Sequence, residues 1–204
     1  MKTKFILVSV IIVMISFQSG FSQDKTYKST VSIGVGQSMV KALADIFLNN
    51  NSFDSTGLRY TSLPAFYGNY DFQVNEFFSV GAAGSFQLFK LKNTTTSEFV
   101  QINRTNIGIR ALFHYGKSDR MDMYSGVRLS TTMWGLSTNI TGDPSVTEFV
   151  DDLNSSKFFN KAVVIAPQIV AFGIKGYFTD MFGAHMEFSI GSPYYLSGGV
   201  NVRF

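Results

Sequence analysis

Residues 78–88 read FSVGAAGSFQL, with Phe78, Val80, Ala82, Gly84, Phe86 and Leu88 at every second position and Ser79, Gly81, Ala83, Ser85 and Gln87 between them. Successive side chains of a strand point to opposite faces, so a period of two describes a ribbon with one apolar face and one small, polar face. A helix, with its period of 3.6, would mix the two sets. The alternation recurs upstream, where Val31, Ile33 and Val35 oppose Ser32, Gly34 and Gly36, and Phe66, Gly68, Tyr70 and Phe72 oppose Tyr67, Asn69 and Asp71. Downstream, Ile107, Ile109, Ala111, Phe113 and Tyr115 oppose Asn106, Gly108, Arg110 and His114, and Val127, Leu129, Thr131 and Met133 oppose Gly126, Arg128, Ser130 and Thr132. Near the end, Ala184, Met186, Phe188 and Ile190 oppose His185, Glu187, Ser189 and Gly191, and Leu196, Val200, Val202 and Phe204 oppose Ser197, Gly199, Asn201 and Arg203. Residues 162–177 are apolar on both faces, which leaves their parity unresolved. Together these segments predict eight strands.

The connections between them alternate in length. Short links fall at Gln73 to Glu76, Gly116 to Asp122 and Thr179 to Gly183, and longer polar ones at Lys41 to Thr56, Lys92 to Gln101 and Leu136 to Lys161; the last link, around Ser192 and Pro193, is short. Tight turns at one end and long loops at the other predict an all-β fold, an eight-stranded antiparallel up-and-down barrel. A soluble barrel would carry the same alternation with its apolar face inward. Three features favour a transmembrane barrel, with lipid on the apolar face. Aromatic residues (Tyr70, Phe72, Phe77, Phe78, Phe113, Tyr115, Tyr177, Phe178, Phe182) collect beside the short turns, where an interfacial girdle would lie. The polar face is rich in Gly and Ser with isolated charges, which suits a narrow lumen. The sequence also ends within a strand, on Phe204, without a polar tail.

Composition agrees. The 204 residues suffice for one domain; charged residues are 15% of them, against about 25% in an ordinary soluble domain, while Phe numbers 21 and Tyr 9. Cysteine is absent, which excludes disulfide scaffolds, thiol catalysis and cysteine metal sites. Lys2 and Lys4 precede an apolar run from Phe5 to Phe17, and Gly20 and Ser22 stand at the small-residue positions of a cleavage site before Gln23. Residues 1–22 thus read as a signal peptide and 23–204 as the barrel domain; the apolar run is short for a spanning anchor, which takes about 20 residues. Removal of the two lysines lowers the net charge from +3 to about +1, so nucleic acid is not implied as a partner.

The end of the chain, Phe204 with Val202 and Val200 before it, resembles the terminal strand recognised by the outer-membrane assembly machinery. The segments Tyr70-Asp71-Phe72 with Ser79-Val80-Gly81-Ala82-Ala83-Gly84, and Tyr177-Phe178-Thr179-Asp180 with Glu187 and Gly191, resemble the small outer membrane β-barrel class, similar in architecture to the OmpA transmembrane domain and OmpX. The resemblance covers essentially all of the expected mature chain. It implies residence in a Gram-negative outer membrane, contact with lipid and lipopolysaccharide, a monomer, and a non-enzymatic structural or surface-interaction role. The sequence leaves no segment for a peptidoglycan-binding domain, so a tethering role is not expected.

Eight strands enclose an interior that side chains just fill, which argues against a wide pore. Arg110 and Arg128 are nearly equidistant from the centre of the turn between them and are expected opposite one another, pointing inward. Two like charges so placed need an anion. Glu187 stands at a similar height, and a plug of Arg110, Arg128 and Glu187 is expected, extended by Asp71, Asn69 and Arg203. The alternatives are a narrow porin-like channel for ions or small solutes and, further off, a lipid-modifying enzyme. His114, His185 and Glu187 share the inward face, but both histidines lie near the short turns, away from the leaflet where lipid chemistry would occur, and read as polar filling. No cofactor or metal is expected. Ser145 and Glu148 form a capping-box pattern that predicts a short helix over residues 146–154, and Leu43, Ile46 and Phe47 suggest another in the first loop. The loops at 41–56 and 136–161 are the candidate surfaces for an extracellular partner.

Overall fold

A computed structural model describes residues 28–48, 58–93, 98–116, 118, 120–139 and 164–204. The expected signal peptide, 1–22, and the helix expected at 146–154 lie outside the described residues. The strands are β1 (Ser29–Gln37), β2 (Leu58–Ser62), β3 (Ala65–Asn75), β4 (Phe78–Asn93), β5 (Phe99–His114), β6 (Met121–Thr138), β7 (Val164–Tyr177), β8 (Phe182–Gly191) and β9 (Leu196–Arg203). Each of β3 to β8 pairs antiparallel with the next, and β1 closes the cylinder by pairing with β3 on one side and β9 on the other. Leu63 and Pro64 interrupt what is otherwise one strand: β2 continues β3 along β4, with Ser62 opposite Phe89 and Phe66 opposite Phe86. Proline has no N–H to give a ladder, which accounts for the break. The barrel therefore has eight walls, as the sequence predicts.

Its faces are inverted relative to a soluble barrel. Ile109 and Ile190 stand outward at 66% and 61% exposure, whereas Arg110 and Glu187, inside, are 3% and 1% exposed. Fully buried tyrosines fill the lumen with the charges: Ala65, Tyr67 and Tyr194 form one apolar cluster and Leu112, Tyr124 and Val170 another. Tyr194 comes from the turn between β8 and β9 and folds into the mouth.

The unresolved parity of residues 162–177 has a structural cause. β7 bulges between Val170 and Phe172, against both β6 and β8. Ala166, Gln168 and Val170 face inward before the bulge, and Gly173, Lys175 and Tyr177 after it. One extra residue thus changes which of odd and even numbers face the lumen. Gly173 is required there, because a Cβ at this position would lie 2.3 Å from the Tyr124 ring.

Strands also replace part of an expected loop. The β4–β5 ladder runs up to Lys92 opposite Phe99, and β6 follows it to Thr138 opposite Val100, so much of 92–101 is strand. The alternation there is exchanged, not lost: Lys90, Lys92, Gln101, Asn103 and Thr105 continue the outward rows, while Phe89, Leu91, Val100 and Ile102 continue the inward ones, so the segment no longer reads with an apolar outer face. In the first loop, α1 (Met39–Leu48) forms where Leu43, Ile46 and Phe47 suggested a helix. Its N-cap is Ser38, whose hydroxyl accepts the Lys41 N–H at 3.1 Å. The short turns are tied by side chains: Asn75 Oδ1 accepts the Phe77 N–H at 2.9 Å, and Thr179 Oγ1 accepts the Phe182 N–H at 2.8 Å.

Candidate functional site

Closure brings five charged side chains from five strands to one level of the lumen. Arg110 on β5 and Arg128 on β6 are direct register partners, as their distance from the turn predicts. From across the barrel, Glu187 on β8 reaches both. Arg110 Nη2 donates to Glu187 Oε1 at 2.6 Å, and Arg128 Nη2 stands 3.9 Å from Oε2. Asp71 on β3 forms ion pairs with Arg110 Nε at 3.0 Å and with Lys175 Nζ at 3.2 Å. Tyr124 Oη donates to Glu187 Oε1 at 2.8 Å, and Arg128 donates to Asn69 Oδ1 at 3.2 Å and to Tyr194 Oη at 2.7 Å. All five charged residues are buried. The chemistry of this arrangement is mutual compensation: two carboxylates hold together three cations that would otherwise repel, leaving one net positive charge.

Arg203 is not part of this cluster. It faces inward but six residues beyond Ser197, the register partner of Glu187, or about 20 Å along the strand. At that rim its Nε donates to the Asp180 carbonyl at 2.6 Å and its guanidinium lies 3.8 Å from the centre of the Tyr177 ring. Val200 faces outward on β9, and Phe204 exchanges both backbone hydrogen bonds with Ser29, each 2.9 Å, on the closing seam.

Lys175 and Tyr124 are absent from the sequence-derived cluster. The bulge hides the facing of Lys175, and Tyr124 precedes the alternating run that begins at Gly126. A second polar chain lies nearer the short turns. His114 Nδ1 is 2.7 Å from Asp122 Oδ1, and its Nε2 is 2.8 Å from Ser79 Oγ. The connectivity is that of a serine–histidine–aspartate triad. Ser79 is only 1% exposed, however, and is paired with Gln73 on one side and Leu112 on the other. Within this chain each of the buried Ser79, His114 and Asp122 side chains has a hydrogen-bond partner. His185 is hydrogen-bonded to Tyr67. No group of three or more potential metal ligands occurs among the described residues.

Toward the long-loop end the surroundings change. Arg104 on β5 is 2% exposed, and its Nη2 donates to Gln87 Oε1 at 2.7 Å and to the Pro193 carbonyl at 2.6 Å. Beside it opens a cavity of about 400 Å³ between α1, the tops of β6 and β7, and the β8–β9 turn.

Fold and lumen together define a class: a closed eight-stranded antiparallel barrel with charges inside and apolar residues outside. Among solved structures the chain is similar to Ail, the attachment invasion locus protein of Yersinia pestis, in complex with the heparin analogue sucrose octasulfate; the TM-score is 0.44 at 10% identity, over 87% of this chain and 95% of that one. It is also similar to the N-terminal β-barrel domain of Pseudomonas aeruginosa OprF, with a TM-score of 0.44 at 14% identity over 87% and 98% of the two chains. No protein family and no curated protein matches the sequence.

Proposed function

We propose that the protein is an integral outer-membrane barrel with a non-enzymatic structural or surface-interaction role, its lumen closed by the Arg110, Arg128, Lys175, Asp71 and Glu187 network. The observation that carries this reading is the inversion of its faces. An apolar belt of this extent exceeds the few hundred Å² that a soluble monomer leaves exposed, and hydrocarbon is the solvent that suits it. On β4 the belt runs outward from Phe78 to Leu88 before Lys90 and Lys92 replace it, and a transmembrane strand takes about 9 to 11 residues. Its lower edge is aromatic, with Phe77 stacked on Phe113 at 6.4 Å between ring centres, as an interfacial girdle requires.

In this reading Phe204, Val202 and Val200 serve as the assembly signal, and the short turns face the periplasm. β4, β5 and β6, at 16, 16 and 18 residues, then stand clear of the bilayer and hold the long loops outside. Planar-bilayer recording of the reconstituted protein tests the closed lumen. Insertion into lipid without steady openings is expected; steady ion conductance would overturn the plug and favour a narrow channel, and a protein that stays monomeric in water without detergent would overturn membrane residence.

A further inference from the structure

Four cations are buried among the described residues: Arg104, Arg110, Arg128 and Lys175. The last three sit within 4 Å of a carboxylate. Arg104 has none. Its hydrogen-bond acceptors are a neutral amide and a neutral carbonyl, and its Nε is buried without a partner. A guanidinium carries five donors and a charge that cannot be shed, so its site is one anion short.

The cavity beside Arg104 supplies the space. Its volume of about 400 Å³ falls in the range of about 300 to 1,000 Å³ typical of small-molecule sites. Apart from Arg104 its lining is mostly apolar: Met39 and Val40 from the first turn of α1, Trp134 from β6, Val164 and Ile165 from β7. The wall is incomplete there. Residues 164–167 of β7 pair with β6, but the β8 register begins only at Gln168 opposite Gly191. Pro167 stands on the unpaired edge, where its missing N–H costs nothing, and Gly191, at φ 111°, turns the chain away from β7.

From Arg104, which has no carboxylate partner among the described residues and whose guanidinium lies 5.8 Å from the centre of the Trp134 ring, and from this cavity we infer that the outer mouth binds a single-chain anionic amphiphile, its carboxylate or phosphate on Arg104 and its hydrocarbon chain against Trp134, Ile165 and Val40. The site goes beyond the plugged-barrel reading, since it lies above the charge network and is read out whether or not the lumen conducts.

Trp134 is the protein's one tryptophan, so its fluorescence reports the cavity directly. The folded protein in neutral detergent micelles is titrated with terminally brominated undecanoic acid, whose bromine quenches tryptophan at contact. Saturable quenching is expected, roughly tenfold to a hundredfold tighter than with the brominated undecanol, the difference one charged hydrogen-bonded contact makes. Arg104→Gln, confirmed folded by its heat-resistant gel band, should bring the acid's curve onto the alcohol's. Val40→Phe, at an exposed position, leaves the charge in place and should weaken binding by filling the space. A brominated single-chain phosphate ester binding more tightly than the acid would assign a lysolipid source, and the reverse order a free fatty acid. Equal quenching by acid and alcohol, displacement by millimolar inorganic phosphate, or unchanged curves in both variants would overturn the assignment.

Discussion

Replacing Glu187 by alanine removes the anion on which the upper half of the lumen network converges. The carboxylate is 1% exposed, accepts from Arg110 at 2.6 Å and from Tyr124 at 2.8 Å, and is the carboxylate within reach of Arg128. Without it Arg110 keeps Asp71, Arg128 keeps only the neutral Asn69 and Tyr194, and the Tyr124 hydroxyl loses its acceptor. Removing one partner of a buried ion pair costs about 3 to 5 kcal/mol, and about 4 kcal/mol is close to a thousandfold in the folding equilibrium. Urea titration of the folded barrel in vesicles, followed by the heat-resistant band on a semi-native gel, reads that loss as an earlier midpoint. Glu187→Gln, which keeps an acceptor for Tyr124 but not the charge, should fall between wild type and alanine. Adding Arg128→Met to Glu187→Ala removes the stranded cation and should restore part of the loss, with a coupling of about 0.5 to 3 kcal/mol. If Glu187→Ala unfolds at the wild-type urea concentration and survives the same heating, water already solvates these charges. The dry network, and the plug with it, would then be refuted.

Other perturbations test the scaffold. Gly173→Val drives a side chain into the Tyr124 ring and should cost about 1 to 3 kcal/mol, whereas Gly176→Val, with nothing within 4 Å of its Cβ position, should stay within about 0.5 kcal/mol; urea midpoints compare them. Deleting Ala171 removes the bulge without changing which residues face the lumen, so the barrel should still give a heat-resistant band, whereas deleting Ile174 turns Lys175 outward, away from Asp71, and should abolish it. Deleting Phe204 removes the paired end of the closing seam and should lower surface abundance in cells; normal abundance would refute its role in assembly.

What the sequence discloses of this fold is local. Facing is legible wherever an apolar row alternates with a polar one, because a slip of one residue would exchange every side chain between lumen and exterior. Hairpin neighbours are legible as well: counting outward from one turn places Arg110 opposite Arg128. The pattern fails where its physical basis does. Above Leu88 and before Ile107 the rows exchange character, polar outward and apolar inward, so strands read as loop; at Ala171 one inserted residue exchanges odd for even, so Lys175 reads as facing either way. Contacts across the lumen are of another kind. Glu187 and Arg110 are 77 residues apart, and whether they meet depends on strand number and stagger, which closure sets for the barrel as a whole. Height above a turn is enough to bring Glu187 to the arginines, since β8 and β5 rise from the same end. For Arg203 the same count, taken along β9, leads to the rim beside Asp180, because an inward-facing residue joins a cluster only when it also shares its level.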